Sequence, residues 1–264
     1  MRRTRPIRAL AYALAVPAAL TALAACDDGP GVTRAPNASD VAQLAATSVQ
    51  GTPNQNSVLF PINSHPYGAS LVEWAERESQ WVYGHALAHN PLIDQTGADC
   101  DENQTDPHVW YLPRIAGPRV FSGSRSCTVP RHRAIFLEIG AYVNPYPCPD
   151  PSFAPAPGQS LYDFLSADAK AFMDGVNRLE VSLDGRPLGD VLSYRFASED
   201  LFTLVGDPTF AALDACVTGS PQPAVVDGFF MMFKPLDPGT HVITVYGTDV
   251  RGADKTYTYY LTVV

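Results

Sequence analysis

The hydrophobic and polar positions of residues 69–89 repeat with the period of an α-helix. At about 100° per residue, Leu71, Trp74 and Val82 fall on one side, and charged side chains fall on the opposite side. This pattern predicts one long amphipathic helix over 69–89 whose apolar face lies against the core. Pro91 is expected to stop it, because the residue before a proline disfavours the helical backbone.

Two further signals support helices at defined boundaries. Ser70 followed by Glu73 is typical of a capping box, in which each side chain accepts a hydrogen bond from a backbone N–H at the start of the helix. A second run of helical period predicts an amphipathic helix over 161–174, with Gly175 as its stop.

One acid falls in the middle of the apolar stripe of the first predicted helix. Glu78 has Trp74 four residues before it and Trp81 three residues after it, so its carboxyl group is expected to be desolvated. If a cation meets it, the pair is structural; if it lines a cleft, its raised pKa makes it a candidate catalytic general acid. The arginines considered as partners are Arg114, Arg119 and Arg133.

The later part of the chain is dominated by the patterns of β-strands. Apolar runs at 134–139 and 228–233 are typical of buried strands, and the β-branched and aromatic runs at 240–246 and 256–264 predict a closing hairpin. The fold class predicted is mainly β with helices (α+β), an antiparallel Ig-like or jelly-roll-type β-sandwich that carries the two helices.

Residues 238–252, PGTHVITVYGTDVRG, resemble the final strand pair of bacterial Ig-like and fibronectin-like extracellular modules. The resemblance implies a β-sandwich and carries no chemistry. The wider pattern also resembles exported bacterial proteins of unknown function.

The first 25 residues have the composition of an export signal. An arginine-rich head is followed by an Ala/Leu-rich middle and then by Leu-Ala-Ala-Cys, which ends at Cys26. This ending resembles the lipobox of bacterial lipoproteins. The resemblance implies cleavage before Cys26, its lipidation, and a chain held at a membrane of the bacterial cell envelope, in the periplasm or at the cell surface. The alternative is an ordinary secretory signal with an incidental cysteine.

Composition divides the rest of the chain. Residues 26–56 are poor in large apolar groups, which is typical of a flexible tether, and residues 57–264 are expected to form a single globular domain. The six prolines of 144–158 are stiff enough to separate two lobes of that domain.

Charge excludes one class of partner. The formal net charge is −9, and removal of the four arginines of the signal leaves −13, since all 27 acidic residues follow it. A surface of this charge repels phosphate backbones, so no nucleic-acid partner is expected. A glycan or a protein of the envelope is the kind of partner that remains.

The other four cysteines form an even set in a chain with an export signal, which predicts two disulfides. Three pairings are possible. We favour Cys100–Cys127, which closes a local loop, and Cys148–Cys216, which joins the proline-rich segment to the later half of the chain.

An acidic loop is a candidate calcium site. Asp99, Asp101 and Asn103 alternate as at the opening of an EF-hand loop, and such oxygen atoms can converge on Ca²⁺. Gln104 stands where the turn glycine belongs and Trp110 where the bidentate glutamate belongs, so a merely solvated loop is the alternative. No other cofactor is expected.

Aromatic residues offer a second candidate site. Trp110, Tyr257 and Tyr259 can form a platform for sugars, although alternate aromatic residues of a strand more often pack in the core.

The sequence contains no GxSxG, HExxH, Walker or GxGxxG motif. The leading hypothesis is therefore a membrane-anchored, non-catalytic binding or structural module of the envelope. The alternative is a hydrolase of envelope or extracellular polymers that uses two carboxyl groups from distant parts of the chain, an arrangement that leaves no local motif.

Overall fold

Ten β-strands and two α-helices make up residues 58–264, the part of the chain that the computed structural model describes. The predicted signal, Cys26 and the predicted tether lie outside these residues. The helices are α1, Leu71–Tyr83, and α2, Leu161–Met173. The strands are β1 Val109–Leu112, β2 Val120–Val129, β3 Ala134–Pro145, β4 Val176–Leu183, β5 Arg186–Leu188, β6 Arg195–Ala197, β7 Phe202–Leu204, β8 Gln222–Phe233, β9 Gly239–Asp249 and β10 Asp254–Val263.

The strands form two five-stranded sheets. The first sheet has the order β1-β3-β8-β6, and β7 also pairs with β8; the second has the order β2-β10-β9-β4-β5. Two pairs are parallel, β1 with β3 and β2 with β10, and the others are antiparallel. The predicted α+β class is confirmed at this level.

The two sheets share one hydrophobic core. Ile135 and Phe229 of the first sheet belong to the same cluster of buried side chains as Val245 and Tyr259 of the second. Burial of apolar surface of this kind is the main favourable contribution to folding.

The first sheet is also covered on its other face, which explains its uninterrupted apolar runs. Trp74 of α1 packs in one cluster with Phe136 of β3 and Phe230 of β8, and α2 packs on the same two strands through Leu165. Every residue of β8 except Pro223 is buried. In the second sheet, by contrast, buried and exposed residues alternate along the last part of β10, as in a sheet with one face in water.

The first helix is shorter than its hydrophobic pattern predicts. The prediction of a helix over 69–89 was wrong at its end, because α1 stops at Tyr83 and a separate 3-10 turn covers Leu87–His89. Tertiary hydrogen bonds replace the next helical turn: Asn90 Nδ2 donates to the carbonyl of Val82 at 2.7 Å, and the backbone N–H of Asp207 donates to that of Tyr83 at 2.7 Å.

Other predicted boundaries agree with the structure. The capping box at the start of α1 is present, α2 begins after Ser160 and ends one residue before its predicted end, and β9 pairs with β10 as the predicted hairpin. The described residues all belong to one compact unit, in which the proline-rich segment links β3 to α2. Within residues 58–264, no helix is long and apolar enough to cross a membrane.

The two predicted disulfides are present. They join Cys100 to Cys127 and Cys148 to Cys216. The first holds the acidic loop against β2, and the second holds the segment after β3 against the loop before β8.

Candidate functional site

A cavity of about 520 Å³ lies between the two sheets, beside the end of α2 and the turn between β9 and β10. This volume is within the usual range for small-molecule sites. Most of its wall is apolar: Ile139, Val176, Leu179, Phe229 and Val245 come from strands of both sheets, and Phe172 and Met173 come from α2.

Five charged side chains also line this intersheet cavity. Arg251 is neutralised by Asp249, which accepts from its Nε at 2.9 Å. Asp214 accepts a backbone N–H at 3.0 Å, and burial raises the pKa of its carboxyl group. Arg114 and Lys255 are the other two. A mainly apolar wall with a few polar groups is typical of a binding site.

Next to the intersheet cavity lies a buried pair of acids that the register of β3 brings together. Phe136 and Glu138 are two residues apart on β3 and therefore point to the same face of the first sheet, the face that α1 covers. The ladder with β8 shifts between Glu138 and Gly140, which is a β-bulge. Bulges are frequent beside functional sites because they redirect side chains.

The second acid of the pair, Glu78, comes from the buried face of α1. It is only 2% exposed, as its position between two tryptophans predicts. Its Oε1 has no hydrogen-bond partner in the described part of the chain. A buried carboxylate without partners is costly, so the neutral acid is favoured.

Arg114 lies between the acid pair and the intersheet cavity. Its Nε is 2.9 Å from Oε1 of Glu138, and its side chain remains 27% exposed. Arg114 and Tyr83 line both the intersheet cavity and a second cavity of about 20 Å³ that Glu78 and Glu138 line. The small cavity has room for about one water molecule, and the two acids line it but do not line the intersheet cavity.

The electrostatics of the acid pair follow from its two negative groups and one positive group. Burial raises the pKa of Glu78 well above 4.5, and the charge of Glu138 raises it further, while Arg114 opposes both. Burial also raises the pKa of Glu138, although Arg114 and two backbone N–H groups lower it. Glu138 has these donors, whereas no described residue donates a hydrogen bond to Oε1 of Glu78, so the pKa of Glu78 is the more strongly raised of the two.

Arg125 fixes the loop that carries Arg114. Its guanidinium is buried and donates to the carbonyls of Pro91, Pro113 and Arg114 at 2.5, 2.9 and 2.9 Å. The hydrogen bonds to Pro113 and Arg114 satisfy backbone carbonyls that the end of β1 leaves free.

The predicted partners of Glu78 require a correction. Arg114 lies near it, but the ion pair of Arg114 is with Glu138. Arg119 instead donates to the carbonyl of Arg251, and Arg133 donates to that of Gln104. Sequence spacing did not show that a second acid would compete for the same guanidinium.

The candidate calcium ligands do not converge. Asp99 lies 3.3 Å from Nδ1 of His89, Asn103 lies 3.3 Å from Nε2 of His85, and Asp101 is exposed. Among residues 58–264, no group of three or more His, Cys, Asp or Glu side chains is placed to hold a metal ion. The loop turns instead around Asp94, whose carboxylate accepts three backbone N–H groups.

The candidate aromatic platform is not formed at the surface. Trp110, Tyr257 and Tyr259 are 3%, 4% and 0% exposed and belong to the core between the sheets. Alternate positions of β10 face that core, so the rings of Tyr257 and Tyr259 pack against the first sheet, to which Trp110 of β1 belongs, and not against solvent. Tyr257 keeps one role in a site, because it lines the intersheet cavity, where burial raises its pKa to about 12.

Sequence reasoning missed Glu138 and Lys255. Glu138 had a signal, since it is the single acid in the apolar run 134–139, and a charge inside a buried strand needs a partner. Lys255 had no comparable signal in the sequence, because an isolated lysine beside a turn is usually solvated.

Comparisons with known proteins give no family. No protein-family model matches the sequence, and no curated protein matches it. Two solved structures are similar at 11% identity: PbICP-C in complex with falcipain-2, which covers 60% of this chain and 99% of that chain with a TM-score of 0.23, and the solution structure of Amebosin, which covers 56% and 100% with a TM-score of 0.19. At these scores neither similarity carries an argument about this protein.

Proposed function

We propose that this chain is an exported lipoprotein of the bacterial cell envelope that acts as a binding module and holds a small ligand in the intersheet cavity. The observation that carries the proposal is the cavity itself, about 520 Å³ with a mainly apolar wall and a few charged groups. Two disulfides are consistent with an oxidising compartment outside the cytoplasm.

An Ig-like sandwich is the finer fold that we propose for the two sheets. The order β1-β3-β8-β6 corresponds to the A-B-E-D sheet of an Ig domain, and β10-β9-β4-β5 corresponds to G-F-C-C′. This agreement of order supports an Ig-like fold over a jelly roll. The parallel pairing of β1 with β3 is a departure, since neighbouring A and B strands of an Ig sheet run antiparallel.

The membrane anchor is tested by the substitution Cys26→Ser. The native protein is expected to fractionate with membranes and to carry the mass of an acylated cysteine, whereas the variant is released or remains as uncleaved precursor. An unmodified Cys26 in intact-mass spectra of protein from native membranes contradicts this part of the proposal.

Ligand binding is tested by filling the cavity. A Cβ atom added at Gly140, which lines the cavity, contacts no heavy atom within 4 Å, so the space can accept a larger side chain. We expect the neutral fluorescent probe N-phenyl-1-naphthylamine to bind the native protein and to bind Gly140→Leu at least about tenfold more weakly. Thr262→Leu, which adds an apolar side chain at an exposed position of β10, is the matched control.

A cooperative thermal unfolding transition shows that Gly140→Leu is folded. If Gly140→Leu does not fold, Gly140→Ala is used because it adds a smaller side chain to the cavity. No probe binding by the native protein contradicts the binding function, as does equal binding by native protein and a folded Gly140→Leu variant.

A hydrolase is the second candidate, and the buried acid pair is the observation that favours it. A carboxyl group with a raised pKa beside a second carboxyl group is the usual combination of acid and base or nucleophile in polymer hydrolysis. However, Glu78 and Glu138 line only the 20 Å³ cavity, behind Arg114 and Tyr83. This separation from the larger cavity makes binding the better-supported function.

The hydrolase is tested on a panel of envelope polysaccharides and peptidoglycan. Turnover that Glu78→Gln and Glu138→Gln each abolish, and that Glu180→Gln at an exposed site preserves, supports it. Absence of turnover across the panel, or full turnover by Glu78→Gln, contradicts it.

A further inference from the structure

One cation of the intersheet cavity, Lys255, has no described carboxylate in direct contact, although the charges of Asp249 and Glu138 are near enough to act on it. Lys255 donates to the backbone carbonyl of Gly117 at 3.2 Å, and among residues 58–264 no carboxylate oxygen lies within 4.0 Å of its Nζ. Among the other charged groups of the wall, Arg251 is paired with Asp249. Burial raises the pKa of Asp214, which favours its neutral form.

A second cation lies near the first. The charge of Arg114 is close enough to Lys255 to lower the pKa of its ammonium group, after burial, which lowers it most. Nε of Arg114 lies 2.9 Å from Oε1 of Glu138. A guanidinium of this kind can still donate a charge-assisted hydrogen bond to a second anion.

The rest of the cavity is suited to an apolar chain. Phe172 and Leu213 line it and are nevertheless 42% and 50% exposed, which is unusual for large apolar side chains beside a cavity. Exposed apolar side chains at the rim of an apolar space are typical of a place where a ligand enters.

From these features we infer that the intersheet cavity binds an amphiphile with one anionic headgroup, a medium-chain carboxylate being the simplest example. The headgroup lies at Lys255 and Arg114, and the alkyl chain lies against the apolar walls from both sheets. This inference rests on the binding function proposed above and names the class of ligand.

The charge of the ligand follows from physical chemistry. A half-buried ammonium group without a carboxylate in contact is less well stabilised than a paired one, and a carboxylate that enters with the ligand supplies such a contact. A neutral ligand of the same length leaves the ammonium group of Lys255 without a carboxylate in contact. A cationic ligand is repelled by the charges of both Lys255 and Arg114. The apolar contacts are the same for all three, so the difference in affinity measures the headgroup alone.

The test compares three amphiphiles with unbranched chains of similar length on the full-length protein. Decanoate, decanol and decyltrimethylammonium are titrated by displacement of N-phenyl-1-naphthylamine and by calorimetry. We expect decanoate to bind at least about tenfold more tightly than decanol, and the cation to bind most weakly.

Two lysine variants locate the headgroup. Lys255→Met is expected to remove the preference for decanoate, measured as the ratio of the decanoate and decanol affinities of the same variant. Lys170→Met makes the same change of charge on α2, outside the cavity wall, and is expected to keep the preference. Circular dichroism checks folding, and Lys255→Gln replaces Lys255→Met if the latter is unfolded.

The outcomes separate the two proposals. Equal affinities for decanoate and decanol, or a preference that survives in a folded Lys255 variant, overturn the anionic class while probe binding still supports the binding function. Failure of the native protein to bind the neutral probe at all contradicts the binding function instead.

Discussion

Two clusters beside the first sheet each place two carboxyl groups around one arginine. They differ in the number of cations that accompany the two acids. In the cluster of β6 and β8, Nε and Nη2 of Arg195 donate to the two oxygens of the buried Asp227 at 2.8 and 2.7 Å. Nη1 of Arg195 donates to Asp174 at 2.7 Å, and Lys170 also donates to Asp174, at 2.6 Å. Two cations therefore balance two acids.

In the cluster of α1 and β3, one cation faces two acids. Arg114 pairs with Glu138, and Glu78 is left without a hydrogen bond to Oε1 from any described residue. Both acids are buried here, whereas Asp174 of the other cluster is half exposed and water can stabilise its charge.

The comparison shows that an arginine beside two carboxyl groups is not enough to pair both of them. In the cluster around Arg195, each of the two carboxylates accepts hydrogen bonds from a cation. In the cluster around Arg114 burial is the main cause of the raised pKa of Glu78, and the charge of the second acid, Glu138, raises it further while the one cation, Arg114, opposes both.

The largest effect is expected from Arg195→Met. The substitution leaves Asp227, which is 4% exposed, without its two donors, and we expect the free energy of unfolding at pH 7 to fall by about 3 to 5 kcal/mol. Urea denaturation measures it. Asp174→Asn, at the exposed end of the same cluster, is the control and is expected to change stability little. A small effect of Arg195→Met would mean that Asp227 does not depend on this pair.

A smaller, pH-dependent effect is expected from Glu78→Gln. The pKa of Glu78 is raised well above 4.5 in the folded protein. Above pH 4.5, the native state therefore binds more protons than the unfolded state, so the free energy of unfolding falls as the pH rises from 4.5 towards the raised pKa. The glutamine variant lacks this loss. Its stability relative to the native protein is expected to increase with pH, by at most about 1.4 kcal/mol per pH unit.

Chemical denaturation between pH 4.5 and pH 8 checks this expectation. Glu180→Gln, which replaces an exposed glutamate of β4, is the matched control and is expected to show a constant difference from the native protein. A constant difference for Glu78→Gln as well would show that Glu78 titrates normally in the folded state.

The smallest effect is expected on the pKa of Glu78 itself in Glu138→Gln. Burial is the largest cause of the raised pKa and the charge of Glu138 is the second, so the substitution removes only the second. We expect the pKa of Glu78, followed by NMR of its side-chain carboxyl carbon, to fall from its native value. An unchanged value would mean that the two acids do not interact.

The sequence by itself determined the elements whose causes are local. The capping box at Ser70, the bounds of α2 and the closing hairpin depend on residues a few positions apart, and the structure has them where the patterns predict. The burial of Glu78 was also predictable, because its neighbours on one helix face are large and apolar.

Only the tertiary structure decided the rest. The end of α1 depends on Asn90 and Asp207, which cap it from outside the helix. The encounter of Glu78 with Glu138 depends on which face of β3 meets α1, and the intersheet cavity depends on how ten strands of distant sequence pack. A periodic pattern gives the face of each element, but which faces meet is fixed by the register of the sheets and the packing of the whole chain.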